Sequence, residues 1–178
     1  MSGAATIGAA TSELDTPAML VDLELAQTNV ARLMAALSGT SVSVRPHLKT
    51  VKSPEFARLL LAAGARGVCV AKLSEAEVMA GAGIEDILIT TELGTGPKLE
   101  RLVALVREHP AVKLVLDSVA GADALEAALR TAGLSLEGLA RCRRRAGPHG
   151  GAAGRAGAGA GAAHRRAFAA AAARATGL

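Results

Sequence analysis

Apolar and polar positions along the first 137 residues fall into short runs that switch between two periods. Residues 17–22 (Pro-Ala-Met-Leu-Val-Asp) form a brief apolar run that predicts a strand. Leu23, Ala26, Val30, Leu33, Met34 and Leu37 follow at helical spacing, and Gly39 stops that helix. Residues 41–44 alternate polar and β-branched side chains, which predicts a second strand. Pro46 has no N–H for a ladder and should mark its end. Ser53-Pro54-Glu55 reads as a helix start: a capping hydroxyl, a proline at the first helical position, and an acid at the positive end of the helix dipole. Phe56, Leu59, Leu60 and Ala63 share a face of that helix, and Gly64 ends it.

The alternation then repeats. Residues 67–71 predict a buried strand, with Cys69 in its core. Ser74 and Glu77 have capping-box spacing at the next helix start, which Gly81 or Gly83 closes. Residues 86–91 predict a strand, and Pro97 opens a helix that ends before Pro110. Residues 112–117 predict a further strand, residues 119–132 a helix ended by Gly133, and residues 134–136 the start of one more strand. Strands and helices in such alternation imply parallel βαβ units, in either a barrel or an open doubly wound sheet. No Gly-x-Gly-x-x-Gly or Walker-type loop follows any strand, which favours the barrel. A whole barrel takes about 250 residues. The fold class expected is therefore α/β, a partial (β/α)8 barrel comprising about its first half.

Composition changes this picture in three ways. With 51% apolar residues but only two Phe and neither Trp nor Tyr, the core must be aliphatic. No apolar run suits a membrane span, the start lacks signal-peptide character, and Cys69 and Cys142 form no disulfide framework, so the cytoplasm is the expected location. The net charge of +4 is misleading: all 16 acids and 12 of the 20 cations lie in the first 137 residues, leaving +8, all from Arg, in the rest. Without a helix-turn-helix pattern or stacking aromatics, neither nucleic acid nor membrane is an expected partner.

The chemistry concentrates in residues 45–52, a strand-to-helix loop with three cations and a histidine. Loops at the carboxyl ends of parallel strands are where such folds place their reactive groups. If the chain stays extended, His47 and Lys49 point to the same side. Lys72 and Asp117 also end strands and should face the same mouth. Gly94-Thr95-Gly96 could hold a phosphate with its amides. The plain alternative is a solvated basic loop and a flexible turn.

Three blocks carry a resemblance: Leu14-Asp15-Thr16-Pro17-Ala18-Met19-Leu20-Val21-Asp22, Arg45-Pro46-His47-Leu48-Lys49-Thr50-Val51-Lys52-Ser53, and Val70-Ala71-Lys72-Leu73-Ser74-Glu75-Ala76-Glu77. In order and spacing they resemble the N-terminal barrel domain of the D-threonine aldolase and D-serine dehydratase family, pyridoxal-phosphate enzymes related to alanine racemase. The resemblance covers residues 14–137, with Val51 standing where the family has His. It implies a pyridoxal 5'-phosphate cofactor and a Schiff base on Lys49, the catalytic residue. Arg45, His47, Lys72 and Asp117 are the accompanying cofactor-site candidates, with Arg45 and Lys52, plus partial burial, lowering the lysine's pKa. It further implies a small D-configured β-hydroxy amino acid as substrate, cleaved as by D-threonine aldolase. The alternatives are a D-serine dehydratase-like ammonia-lyase and a non-catalytic cofactor-binding protein of the same fold. Full-length members carry a divalent metal near the C-terminus, whose ligands are absent here, and a homodimer is admissible for them.

Residues 1–13 read as a mobile N-terminus. From Gly138 onward the composition changes abruptly: Ala, Gly and Arg supply 33 of the last 41 residues, and no hydrophobic period survives. These residue types are encoded by GC-rich codons. The change is therefore read as a frameshift, with a disordered low-complexity tail as the alternative. Half a barrel leaves its last strand unpaired and its interior wet. The chain as written is accordingly expected to be inactive.

Overall fold

A computed structural model describes residues 7–93 and 96–140, in two units divided between Thr40 and Ser41. In the first unit a single 3-10 turn at Thr11–Glu13 precedes helix α1, Leu23–Leu37. Asp22 caps α1 by accepting the Leu25 N–H at 2.9 Å. Ala26, Val30, Met34 and Leu37 of the expected face form its least exposed stripe, whereas Leu23 and Leu33 are exposed. The strand expected at residues 17–22 is absent: Met19, Leu20 and Val21 are 62%, 64% and 42% exposed in irregular chain. A strand exists only as a ladder, and this unit offers no second strand among its described residues.

The second unit carries the alternation. Helix α2 (Pro54–Ala62) leads to strand β1 (Val68–Val70), α3 (Leu73–Gly81), β2 (Ile87–Ile89), α4 (Pro97–Glu108), β3 (Lys113–Leu116), α5 (Val119–Ala132) and β4 (Glu137–Ala140). The four strands are parallel and lie in chain order. A doubly wound sheet reverses its order at a switch point, whereas a barrel keeps neighbours consecutive. This sheet is therefore part of a (β/α)8 barrel. Ser53 caps α2 by accepting the Phe56 N–H at 3.2 Å, with Pro54 in the first turn, as its sequence predicts.

The chain before α2 pairs differently from the expectation. Residues 41–44 are not a strand; pairing instead centres on a parallel bridge between His47 and Cys69. Cys69 N–H donates to the Pro46 carbonyl at 2.7 Å, and Leu48 N–H to the Cys69 carbonyl at 2.8 Å. The chain thus pairs past Pro46, which contributes only its acceptor and keeps the contact to one bridge. Strand β4 also forms three residues later than the 134–136 run suggested. It crosses the boundary drawn at 137/138, because Gly138, Leu139 and Ala140 lie in register with Leu114, Val115 and Leu116. Residues 141–178, including Cys142, lie outside the described residues, as do Gly94 and Thr95 of the predicted phosphate loop.

Side chains alternate across this sheet. Leu48, Val68, Val70, Ile87, Ile89, Leu114 and Leu116 are buried at 3% exposure or less on the helix-covered face. They meet Ala57, Ala76, Met79, Leu102, Val106, Leu125 and Leu129 from the helices in an aliphatic core. Each large residue there contributes about 1.5 to 3 kcal/mol of hydrophobic stabilisation. The opposite face carries His47, Cys69, Leu88 and Lys113 in register, all only half-buried. Cys69 thus belongs to the open face and not to the core. Burial still raises its thiol pKa above the ordinary range.

Candidate active site at the carboxyl edge of the sheet

The carboxyl ends of these segments bring Lys49, Lys72, Thr90 and Asp117 to one edge. Lys49 sits in a turn that Lys52 N–H closes onto the Leu48 carbonyl at 2.8 Å. The extended chain therefore ends at Leu48, and the same-side rule does not carry to Lys49. Backbone geometry joins the two residues instead: Lys49 N–H donates to His47 Nδ1 at 3.1 Å. Lys49 itself is exposed, so the partial burial expected for it is not present, and it makes no ion pair among the described residues.

His47 reaches over β1 to β2. Its Nε2 lies 3.0 Å from Thr90 Oγ1, and that hydroxyl donates to the Val70 carbonyl at 2.9 Å. Cys69, the partner of His47 in the parallel bridge, is a small residue. Desolvation lowers the His47 pKa below the ordinary imidazole value, the nearby Lys49 charge adds to the fall, and Glu75 opposes it.

Glu75 organises the neighbouring loop. Its carboxylate accepts the Ala71 N–H at 2.9 Å and the Lys72 N–H at 3.4 Å, and it pairs with Lys52 Nζ at 3.3 Å. Helix α3 accordingly begins after Lys72, with Glu75 in its first turn; the expected Ser74–Glu77 box lies two residues too late. Glu77 pairs instead with Arg101 on α4, at the rim of a groove of about 270 Å³ on the helix side that contains none of the predicted site residues. Burial works against Glu75 ionisation, but the two N–H donors and Lys52 outweigh it and hold its carboxyl below the usual range. Lys52 has φ +48, a left-handed conformation uncommon for a residue with a Cβ. Lys52 and Glu75 thus tie the Lys49 turn to the β1–α3 connection.

Arg45 lies elsewhere. Its guanidinium makes a two-pronged contact with Asp86, at 2.9 Å and 2.7 Å, at the amino edge of the sheet. Lys113 Nζ joins the same carboxylate at 2.6 Å and approaches Glu137 at 3.7 Å. The hydrogen bond to Asp86 raises the Arg45 pKa. Arg45 is therefore not brought together with the other site candidates: it pairs with Asp86, beside Lys113, at the far edge. Extended chain rises about 3.3 Å per residue, so the run from Arg45 to Leu48 carries the Arg45 side chain and the Lys49 turn to opposite edges. Lys72 and Asp117 are exposed at the carboxyl edge, as predicted, and neither makes an ion pair among the described residues. Thr90 and Glu75 are the residues that sequence reasoning passed over; a hydroxyl directly after Ile87-Leu88-Ile89 was the available signal for the first.

Among the described residues no group of three or more His, Cys, Asp or Glu could hold a metal ion. No helix among them is long and apolar enough to cross a membrane.

Residues 21–138 match the alanine racemase N-terminal domain family. D-threo-3-hydroxyaspartate dehydratase of Delftia sp. (strain HT23) is 40% identical over 124 residues, 70% of this chain and 32% of that protein. D-threonine aldolase of Arthrobacter sp is 33% identical over 128 residues, 72% of this chain and 34% of that protein. Among solved structures, D-threonine aldolase from Filomicrobium marinum matches with a TM-score of 0.70 at 34% identity, over 77% of this chain and 38% of that one. D-threo-3-hydroxyaspartate dehydratase from Delftia sp. HT23 matches at 0.64 and 40%, over 72% of this chain and 34% of the other. The chain spans about a third of the length of the curated relatives it matches.

Proposed function

Because the chain belongs to the alanine racemase N-terminal domain family, we propose that it supplies the cofactor-anchoring segment of a pyridoxal-phosphate lyase, with Lys49 as the anchor. The observation that carries this reading is the placement of Lys49. It is an exposed primary amine, with no counter-ion among the described residues, in a turn at the carboxyl edge of parallel strands. Such an amine fits an aldehyde cofactor, because it is accessible as a nucleophile once it sheds its proton. Pyridoxal phosphate, when bound, supplies an electron sink for charge developing at an amino acid's α-carbon. The chain's own residues supply orientation. Glu75 and Lys52 restrain the turn, and His47 holds the Lys49 backbone. Lys72 and Asp117 line the same edge and are proposed as pocket walls.

The substrate class we propose is a small D-configured 3-hydroxy amino acid, because the relatives that share this segment are named for such substrates. Carbon–carbon cleavage of the D-threonine type is the first reading. Dehydration is the second, favoured by the 40% identity to the Delftia enzyme. Turnover is proposed for a protein carrying the remaining barrel strands, and cofactor anchoring for this segment. The test is direct. The purified 178-residue chain is incubated with pyridoxal phosphate, reduced with borohydride and mapped by peptide mass spectrometry. A pyridoxyl label on Lys49 that disappears in Lys49→Ala is expected; labelling spread evenly over the surface lysines defeats the reading. In a full-length relative carrying this segment, acetaldehyde with glycine distinguishes cleavage from the ammonia and keto acid of dehydration.

A further inference from the structure

Three hydrogen bonds run in series from β2 to the Lys49 turn, and their directions are mutually dependent. Lys49 N–H can donate only to a bare His47 Nδ1, so that nitrogen carries no proton. Thr90 Oγ1 gives its own proton to the Val70 carbonyl, so it meets His47 Nε2 as an acceptor. The ring proton must then sit on Nε2. Only one neutral tautomer satisfies all three bonds. A protonated ring would set Nδ1–H against the Lys49 N–H, donor against donor.

We propose that Thr90 is a positioning residue. Its hydroxyl locks His47 in the Nε2–H tautomer, and the locked ring holds the backbone of the Lys49 turn. This rests on the reading of Lys49 as the cofactor anchor. It also gives His47 a different part from a free proton carrier, because both ring nitrogens are engaged. The groups facing the ring are Lys49 from the turn, Glu75 from α3, and Cys69 and Thr90 from the two strands. Burial and the Lys49 charge favour the neutral ring, in the same sense as the lock. The Val70 carbonyl also accepts the Thr90 N–H at 2.9 Å, so removing the hydroxyl does not orphan it.

The experiment is long-range 1H–15N NMR of the histidine rings in the whole chain without cofactor, with His47 assigned through His47→Gln. At pH 7 the wild type is expected to show a single tautomer protonated at Nε2. Thr90→Val is expected to give a tautomer mixture and to speed exchange of the Lys49 amide about tenfold, the loss of one net hydrogen bond. Thr90→Ser is expected to restore both. A wild-type ring protonated at Nδ1 overturns the proposal without any variant. So does a Thr90→Val ring that keeps the wild-type tautomer, and so does Thr90→Ser behaving like Thr90→Val. The measurement needs no pyridoxal phosphate, so a failure of Lys49 to take the label would remove the anchor reading and leave the tautomer result intact.

Discussion

Two side chains from one short segment cross β1, and they do so at opposite edges of the sheet. At the amino edge Arg45 reaches Asp86 over Gly67; at the carboxyl edge His47 reaches Thr90. The first crossing is ionic. Arg45 and Lys113 share one carboxylate, and their side chains are 18% and 15% exposed. The second is a chain of neutral hydrogen bonds beside an exposed lysine. At the amino edge Arg45 and Lys113 are both paired, whereas at the carboxyl edge Lys52 is paired with Glu75 and the Lys49 amine is left accessible.

The comparison breaks most sharply at Gly67. A Cβ there would lie 2.3 Å from Arg45 Nη1 and 2.5 Å from the Asp86 carbonyl oxygen, which is backbone and cannot swing away. Gly67→Ala is expected to cost about 2 to 3 kcal/mol, read from denaturant unfolding, whereas Lys49→Ala should change stability by less than about 0.5 kcal/mol. Equal costs for the two would erase the distinction between the edges. Asp86→Asn comes next, because it leaves two half-buried cations without their anion; about 2 kcal/mol is expected, with labelling of Lys49 retained in the folded fraction.

Acid should separate the edges through their carboxylates. Desolvation opposes Asp86 ionisation, but Arg45 and Lys113 outweigh it and hold the carboxyl below the usual range. Glu75 is likewise held low. With folded values depressed, the unfolded chain binds more protons as pH falls. Their stabilisation is therefore present above the ordinary carboxylate pKa of about 4 and is lost below it. Asp86→Asn should flatten that acid limb in an unfolding series from pH 6 to pH 2 (about the carboxylate window). His47, also depressed, acts in a higher window: its contribution is full above about 6.5 and falls as acid protonates the ring. The smallest effect expected is Lys52→Gly. Relief of a left-handed lysine, about 1 kcal/mol, offsets loss of an ion pair whose lysine is 57% exposed. Net stability should stay within about 0.5 kcal/mol of the wild type.

Much of the frame was legible along the chain. Ser53-Pro54, Pro97 and Gly133 mark helix ends where capping chemistry puts them, and Gly133 indeed adopts φ +65. The three middle strands appear within the predicted runs. The failures share one cause. Residues 17–22 and 41–44 have strand composition, yet a strand requires a partner, and alternation alone names none. Residues 134–136 precede β4 because register with β3, and not apolar content, decides where pairing begins. The Ser74–Glu77 spacing fits a capping box, but a carboxylate two residues earlier, Glu75, serves the free amides of Ala71 and Lys72.

The site divides in the same way. Local chemistry marked Lys49, His47, Lys72 and Asp117, because strand ends and a basic loop are visible in the order of residues. Proximity along the chain groups Arg45 with them, but the extended run from Arg45 to Leu48 carries it to the other edge. Thr90 and Glu75 could be found only once β1, β2 and α3 were assembled, since their partners lie 43 and 23 positions away (from His47 and Lys52). Residue order settles which groups are chemically capable and where helices start and stop, because caps, turns and periodicity act over a few residues. Parallel pairing decides which capable groups meet, because it joins segments about 20 residues apart at a register that no local pattern encodes.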